Sequence, residues 1–347
     1  MKPRITILIG TITVLGALAI SIRVAAQDQP RHMEGYAPYA VISLGTLGGD
    51  SSEAFSINNR GWVAGVSNLG GNQNEHAFLW RRGVMTDLGT LGGLNSGVLS
   101  AHAKNDWGLI AGAAEPSTQD PFEENFCGFG TNAVCLGFRW QNGVMTQLPT
   151  LGGNNGWAFG VNNRGQVVGT AENATQDPNC IAPQVFDWEA VIWGPEKAEI
   201  HALPPVPGDS VAAAIAINDK GQAVGTSGFC ATPGDGEPGV HAVLWQNGTL
   251  WQGGVARDLN ALIPPGSMSL IYASDISSRG EIVGQAFDQS TGDTPTFLAI
   301  QEGARQGAKA VSVQLRRSLC PTTFASRFSG ESASGFSVLA RRRRNDG

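Results

Sequence analysis

The sequence predicts an all-β repeat protein, five four-stranded units closing into a five-bladed β-propeller. Three recurring patterns carry that prediction. A turn with its following strand, Ile57-Asn-Asn-Arg-Gly-Trp-Val-Ala-Gly65, returns as Lys104–Gly112, Val161–Gly169, Ile217–Gly225 and Ile276–Gly284. A second strand, closing on tryptophan, follows at variable distance as His76–Trp80, Leu136–Trp140, Glu189–Trp193 and His241–Trp245; the fifth copy, Thr296–Ile300, has lost its tryptophan. A connector precedes each unit, reading Leu44-Gly-Thr-Leu-Gly-Gly49, Leu88–Gly93 and Leu148–Gly153, with degraded copies at Leu203–Gly208 and Leu259–Gly266. Self-similarity at this period is the signature of a repeat architecture.

Within a unit, Asn-Asn-Arg-Gly is turn chemistry: asparagine bonds its own main chain and glycine takes positive φ freely. It joins an apolar strand such as Ala54–Ile57 to Trp62–Val66. After the tryptophan strand, Arg81-Arg82-Gly83, Gln141-Asn142-Gly143 and Gln246-Asn247-Gly248 read as hairpin turns that return the chain along Val84–Leu88 or Val144–Leu148. That makes four short strands per unit, the content of a propeller blade, and no stretch shows a helical period. The fifth tryptophan-type strand has no partner after it, while Tyr39–Leu44 is a spare strand at the other end. Pairing Tyr39–Leu44 with Thr296–Ile300 closes the ring and removes an exposed edge.

Residues 1–26 read as a signal peptide: Lys2 and Arg4, an apolar run from Ile5 to Ile22, then Val24-Ala25-Ala26 before Gln27. Residues 27–38 form a linker, 39–303 the repeat domain and 304–347 a basic tail expected to be disordered. The localisation expected is extracellular or periplasmic, with membrane attachment only if the N-terminal segment is not cleaved. The body between signal and tail is strongly acidic and would repel phosphate backbones, which argues against nucleic acid. The Arg341–Arg344 run reads as solvated. In an exported chain cysteines favour disulfides. Cys127–Cys135 would close a short loop, Cys180–Cys230 would join corresponding loops of neighbouring repeats, and Cys320 is left over.

Taken together, the Leu-Gly-Thr-Leu-Gly-Gly connector, the Ile-Asn-Asn-x-Gly-x-Val-x-Gly turn and the triplet His76-Ala77-Phe78 resemble the bacterial extracellular HAF-repeat family. The resemblance covers about residues 41–300 and implies an exported bacterial repeat protein, with no implied reaction. The triplet is literal only once, and the fifth repeat lacks both His and Trp.

Chemistry-bearing motifs are sparse. His76 and His241 occupy one repeat position, so they would stand on different blades as hydrogen-bonding residues, and no metal site is expected. Trp80, Trp140, Trp193 and Trp245 recur with the fold and read as packing. Trp157, Trp188 and Trp251 are the candidates for exposed stacking against sugar rings. Glu115, Asp120, Glu123, Glu124, Asp177, Asp187, Glu189, Asp235 and Glu237 populate variable loops and read as solvated; a glycosidase would need some of them converging in pairs. No nucleophile elbow or phosphate loop is present, so no catalytic residue is assigned and no cofactor is expected. The function expected is a monomeric, non-enzymatic binding or surface-interaction module for a glycan or surface protein. The alternatives are a polysaccharide hydrolase or lyase, and a cell-envelope scaffold with no soluble ligand.

Overall fold

The computed structural model describes residues 40–196, 199–230, 240–246, 255–266 and 268–301. The expected signal peptide, linker and basic tail therefore lie outside the described residues, apart from the ends of the repeat domain. The chain divides into two units, Met1–Ser43 and Leu44–Gly347. Of the first, residues 40–43 carry no strand.

The second unit is all β, with one short 3-10 turn at Leu259–Leu262. Its first sheet runs β1 (Gly48–Ile57), β2 (Val63–Leu69), β3 (Glu75–Arg81) and β4 (Val84–Asp87), each antiparallel to the next. The same meander recurs in β5 to β8 (Gly92–Gly97, Ile110–Pro116, Leu136–Gln141, Val144–Gln147) and in β9 to β12 (Gly152–Val161, Val167–Gln176, Phe186–Trp193, Ile200–Leu203). The fourth sheet holds β13 to β16 (Val211–Ile217, Ala223–Gly228, His241–Gln246, Val255–Asp258). The fifth holds three strands, β17 to β19 (Met268–Ile276, Ile282–Asp288, Thr296–Ala299). The strand expected to complete it is only partly described: Tyr39 lies outside the described residues, and residues 40–44 form no strand. A hairpin turn holds β4 against β3, whereas Tyr39–Leu44 would have to close a loop the length of the domain.

The first asparagine of each turn does two jobs. Its side-chain oxygen accepts from two backbone N–H groups of its own turn, as Asn58 does from Arg60 and Trp62 at 3.0 Å each. Its amide nitrogen reaches the next repeat: Asn58 donates to the Asn105 carbonyl (3.1 Å), Asn105 to Asn162 (3.0 Å), Asn162 to Asn218 (3.1 Å) and Asn218 to Ser277 (2.9 Å). Ser277 closes its own turn through Oγ and has no amide to pass on.

Apolar side chains fill the spaces between consecutive sheets. One cluster joins Ala64, Leu79 and Leu88 to Ile110, Phe138 and Trp140, and the others join the second sheet to the third, the third to the fourth and the fourth to the fifth. Trp193 and Trp245 each sit in such a cluster and donate Nε1–H to the carbonyls of Pro149 and Pro204. Among the described residues no cluster joins the fifth sheet to the first. Ile57 is accordingly 70% exposed, whereas its counterparts Val161 and Ile217 are 8% exposed.

In four of the five sheets the glycine that ends the turn–strand pattern (Gly65, Gly169, Gly225, Gly284) faces a register shift in the first strand. A Cβ at Gly169 would overlap the Trp157 carbonyl and crowd the Trp193 ring; Gly65, Gly112, Gly225 and Gly284 meet the equivalent carbonyl. Gly169→Ala should therefore cost about 2–4 kcal/mol, the upper range for overpacking. Asn162→Ser copies the fifth repeat and removes the inter-repeat bond together with the amide's bond to Gln166 (2.7 Å), so it should cost about 1–3 kcal/mol. Urea midpoints check both: an unchanged midpoint for either would show that the contact is not limiting.

Candidate functional site

Meander topology sorts every sheet's connections onto two ends. Turns between first and second strands share one end with the hairpins between third and fourth strands. The other end carries the variable loops between second and third strands, together with the connectors between sheets. Charge is sorted the same way. Every lysine and arginine between residues 44 and 303 lies in a turn, in a third or fourth strand, or in the connection between those strands. None lies in a variable loop, a connector, or a first or second strand. The loop end instead gathers acids, among them Asp50, Glu75, Asp120, Glu172, Asp209 and Asp293.

Two disulfides hold this end: Cys127–Cys135 within the second repeat's loop, and Cys180–Cys230 between the loops of the third and fourth repeats. Both join the pairs favoured from the sequence. One Asp187 carboxylate oxygen and both sulfurs of Cys180–Cys230 lie within 4.8 Å of one another. Sulfurs joined to each other are not available as thiolate ligands.

Of the acids in the second repeat's insertion, Glu123 is exposed as expected, whereas Glu115, Asp120 and Glu124 are buried, contrary to the sequence expectation, as is Glu172 of the third repeat. Glu115, Asp120, Glu124 and Glu172 are 2%, 4%, 0% and 0% exposed. Three of them converge on one amide. Asn155 Oδ1 accepts from Cys135 N–H at 2.9 Å, which fixes the amide's orientation. Its Nδ2 then faces Asp120 Oδ2 at 3.0 Å, Glu124 Oε2 at 3.0 Å and Glu172 Oε2 at 3.2 Å. Two amide hydrogens thus face three carboxylates. Burial, then the nearby Glu124 charge, pushes the Glu172 carboxyl up to about 7. Glu124 moves the same way, again mainly through burial, although the Val185 and Phe186 N–H groups that it accepts from oppose the shift. Those two bonds pin the third repeat's loop to the second's. Gln184 adds a bond to Glu172 at 2.7 Å, and Phe122 packs edge-on against Phe186 at 5.2 Å. Asn95 repeats the motif one sheet earlier, donating its N–H and Nδ2 to Glu115 at 3.0 Å, while Thr131 donates to the other Glu115 oxygen. The closest carboxylates are therefore spent inside the protein, not presented to a substrate.

Beside this lock the loop end holds a cavity of about 540 Å³. Asp50, Asn68, Gln73, Glu75, Asn125 and Phe129 contribute to its wall, which belongs to the first two repeats.

The tryptophan candidates are dispersed. Trp157 is 6% exposed and stacks on Phe159 at 5.4 Å in a core cluster, so it offers little face to a ligand. Trp188 is half-buried, edge-on to Phe126 at 6.4 Å. Trp251 lies outside the described residues, as do Asp235, Glu237 and Cys320. The exposed tryptophan among the described residues is instead Trp107, 63% accessible at the turn end, with Arg60 lying between it and Trp62. His76 and His241 each meet an aspartate at 2.9 Å, Asp87 and Asp209 respectively. No protein-family model matches the chain, and no curated protein does either.

A carboxyl whose folded pKa exceeds its ordinary value stabilises the protein at low pH, and that contribution is lost as pH rises through the folded value. For Glu172 the window runs from about 4.5 to about 7, and the loss is on the order of 2–3 kcal/mol. Glu124→Gln removes the charge that helps raise Glu172. Relative to wild type, the variant should gain on the order of 1 kcal/mol between pH 5 and pH 8 in urea unfolding. A pH-independent difference would show that the Glu124 charge does not raise Glu172.

Proposed function

We propose that this chain is an exported, non-enzymatic binding module whose ligand surface is the loop end of a closed five-bladed propeller. The observation that carries the reading is the loop end itself: cross-linked, devoid of lysine and arginine, and holding a polar cavity of about 540 Å³. Rigid loops on a β scaffold are where binding residues concentrate, and preorganisation lowers the entropic cost of binding. Amides, carboxylates and one aromatic ring around a cavity suit the hydroxyls and apolar faces of a neutral glycan. A polyanion would meet repulsion there. Two disulfides fit an oxidising compartment outside the cytoplasm. The repeat signature supports placing the chain with the HAF-repeat proteins of bacterial exteriors.

Closure into a ring is part of the proposal. The asparagine relay and the shared clusters stack the sheets in one sense, and one cavity at the turn end touches all five repeats. The missing fourth strand of the fifth sheet is the segment ending at Leu44. By the register of β3 on β4, where Leu79 pairs with Thr86, Ile42 would pair with Leu298, which is 60% exposed. A strand there would cover the free edge of β19.

Two experiments test these points. Ile42→Cys with Leu298→Cys should form a disulfide within one chain, seen by non-reducing mass analysis; failure to cross-link would remove the closure. The full exported chain, passed over end-labelled neutral polysaccharides, should retain label without shortening it. Asn68→Ala with Gln73→Ala should weaken retention about tenfold or more. Shortened label would replace the binding module with a hydrolase or lyase.

A further inference from the structure

The turn end carries a second cavity, of about 320 Å³, walled by residues of all five repeats. The first residue of each turn pattern lies in its wall: Ile57, Lys104, Val161, Ile217 and Ile276. Four are aliphatic and one is a lysine. Lys104 is 7% exposed, and its Nζ has no hydrogen-bond partner. Burying an ammonium group without a hydrogen-bond partner is costly, and the Asp106 charge offsets only part of that cost. The fold does not need it, because aliphatic residues fill the same position in the other repeats.

From the unpaired Lys104 ammonium and the aliphatic ring around it, we infer that this axial cavity binds a small organic monocarboxylate, with the carboxylate on Lys104 Nζ. The acids lining the cavity already have partners. Asp106 accepts from Asn59 Nδ2 at 2.9 Å, and Asp219 from Asn163 N–H at 2.8 Å. Asp275 accepts from Ile276 N–H at 2.7 Å and faces His102 at 3.6 Å. None bonds to Lys104. The turn amides are equally committed, since Asn58, Asn105, Asn162 and Asn218 each donate to the next repeat. Lys104 Nζ is a buried donor of the cavity wall that has no partner. Ile57, Val161, Ile217 and Ile276 suit a short apolar body on the ligand. Asp106, Asp219 and Asp275 at the same cavity disfavour a second negative charge, which excludes dicarboxylates and phosphate. Burial lowers the lysine to about 8, with Asp106 opposing the shift, so the ammonium form still predominates at pH 7. This site is separate from the loop-end cavity and does not depend on the function proposed for it.

The test titrates the full exported chain at pH 7 with butyrate, and with butyramide as the neutral counterpart, by calorimetry. Butyrate should bind and butyramide should not. Lys104→Ile, which copies the fourth repeat, should fold with equal or greater thermal stability and bind butyrate at least about tenfold more weakly. Raising the pH from 7 to 10 should abolish binding to wild type as Lys104 loses its proton. Absence of butyrate binding, equal binding of butyrate and butyramide, or undiminished binding to Lys104→Ile would each overturn the proposal. The butyrate–butyramide comparison needs no variant, so a misfolded Lys104→Ile protein would not shield the idea.

Discussion

The bond from each turn asparagine to the next repeat's carbonyl is the constraint from which the rest of the architecture follows. Sheets that share only apolar surface can slide along one another, because burial has no direction. A hydrogen bond of about 3 Å between equivalent atoms fixes both the height and the rotation of each sheet against its neighbour. The oxygen of the same amide closes the turn, so local and inter-repeat order come from one side chain. Asparagine can do this because its donor and acceptor sit on one planar group. Serine at 277 closes a turn but cannot extend the series, and the relay stops where the apolar clusters also stop.

Fixing the turn end has a consequence at the other end. Turns of one bonding pattern tie the sheets together below, and the loops between second and third strands differ in length above. The second repeat uses its long insertion to place Asp120 and Glu124 beside Asn155 and Glu172 of the third. The raised Glu172 and Glu124 carboxyls make this contact weaken as pH rises. The disulfides act in parallel without that dependence.

The strands and turns were legible in the sequence because five copies of a pattern average out local ambiguity. Asn-Asn-Arg-Gly and Asn142-Gly143 announce their turns through residue chemistry alone. The relay was not legible, since nothing in one repeat reveals what lies beside it in the next. Trp157 misled for a related reason. Asn154, Asn155 and Gly156 have loop composition, yet they lie inside β9, where Asn155 serves as a buried donor and Trp157 fills the core. The acidic insertion misled as well, because hydropathy assigns carboxylates to solvent and cannot register a partner amide contributed by another repeat. Lys104 carried a readable signal: it is the one charged residue in a column of aliphatics, which comparison of the five turns exposes.

Departures from a repeat therefore deserve separate physical readings. Where a copy loses a residue, as Ser277 and Ala299 do, the loss falls at the fifth repeat, whose outer side lacks a packed neighbour among the described residues. Where a copy gains a costly residue inside the stack, as Lys104 does in the second repeat, a missing neighbour is no explanation, because both flanking sheets are packed. A buried amine that lowers stability persists only if something offsets its cost. The neighbouring acids offset it only in part: the Asp106 charge favours the ammonium form, yet burial still lowers the lysine to about 8. A carboxylate brought in from solvent, among the aliphatic side chains that share the cavity wall with the lysine, would supply the rest.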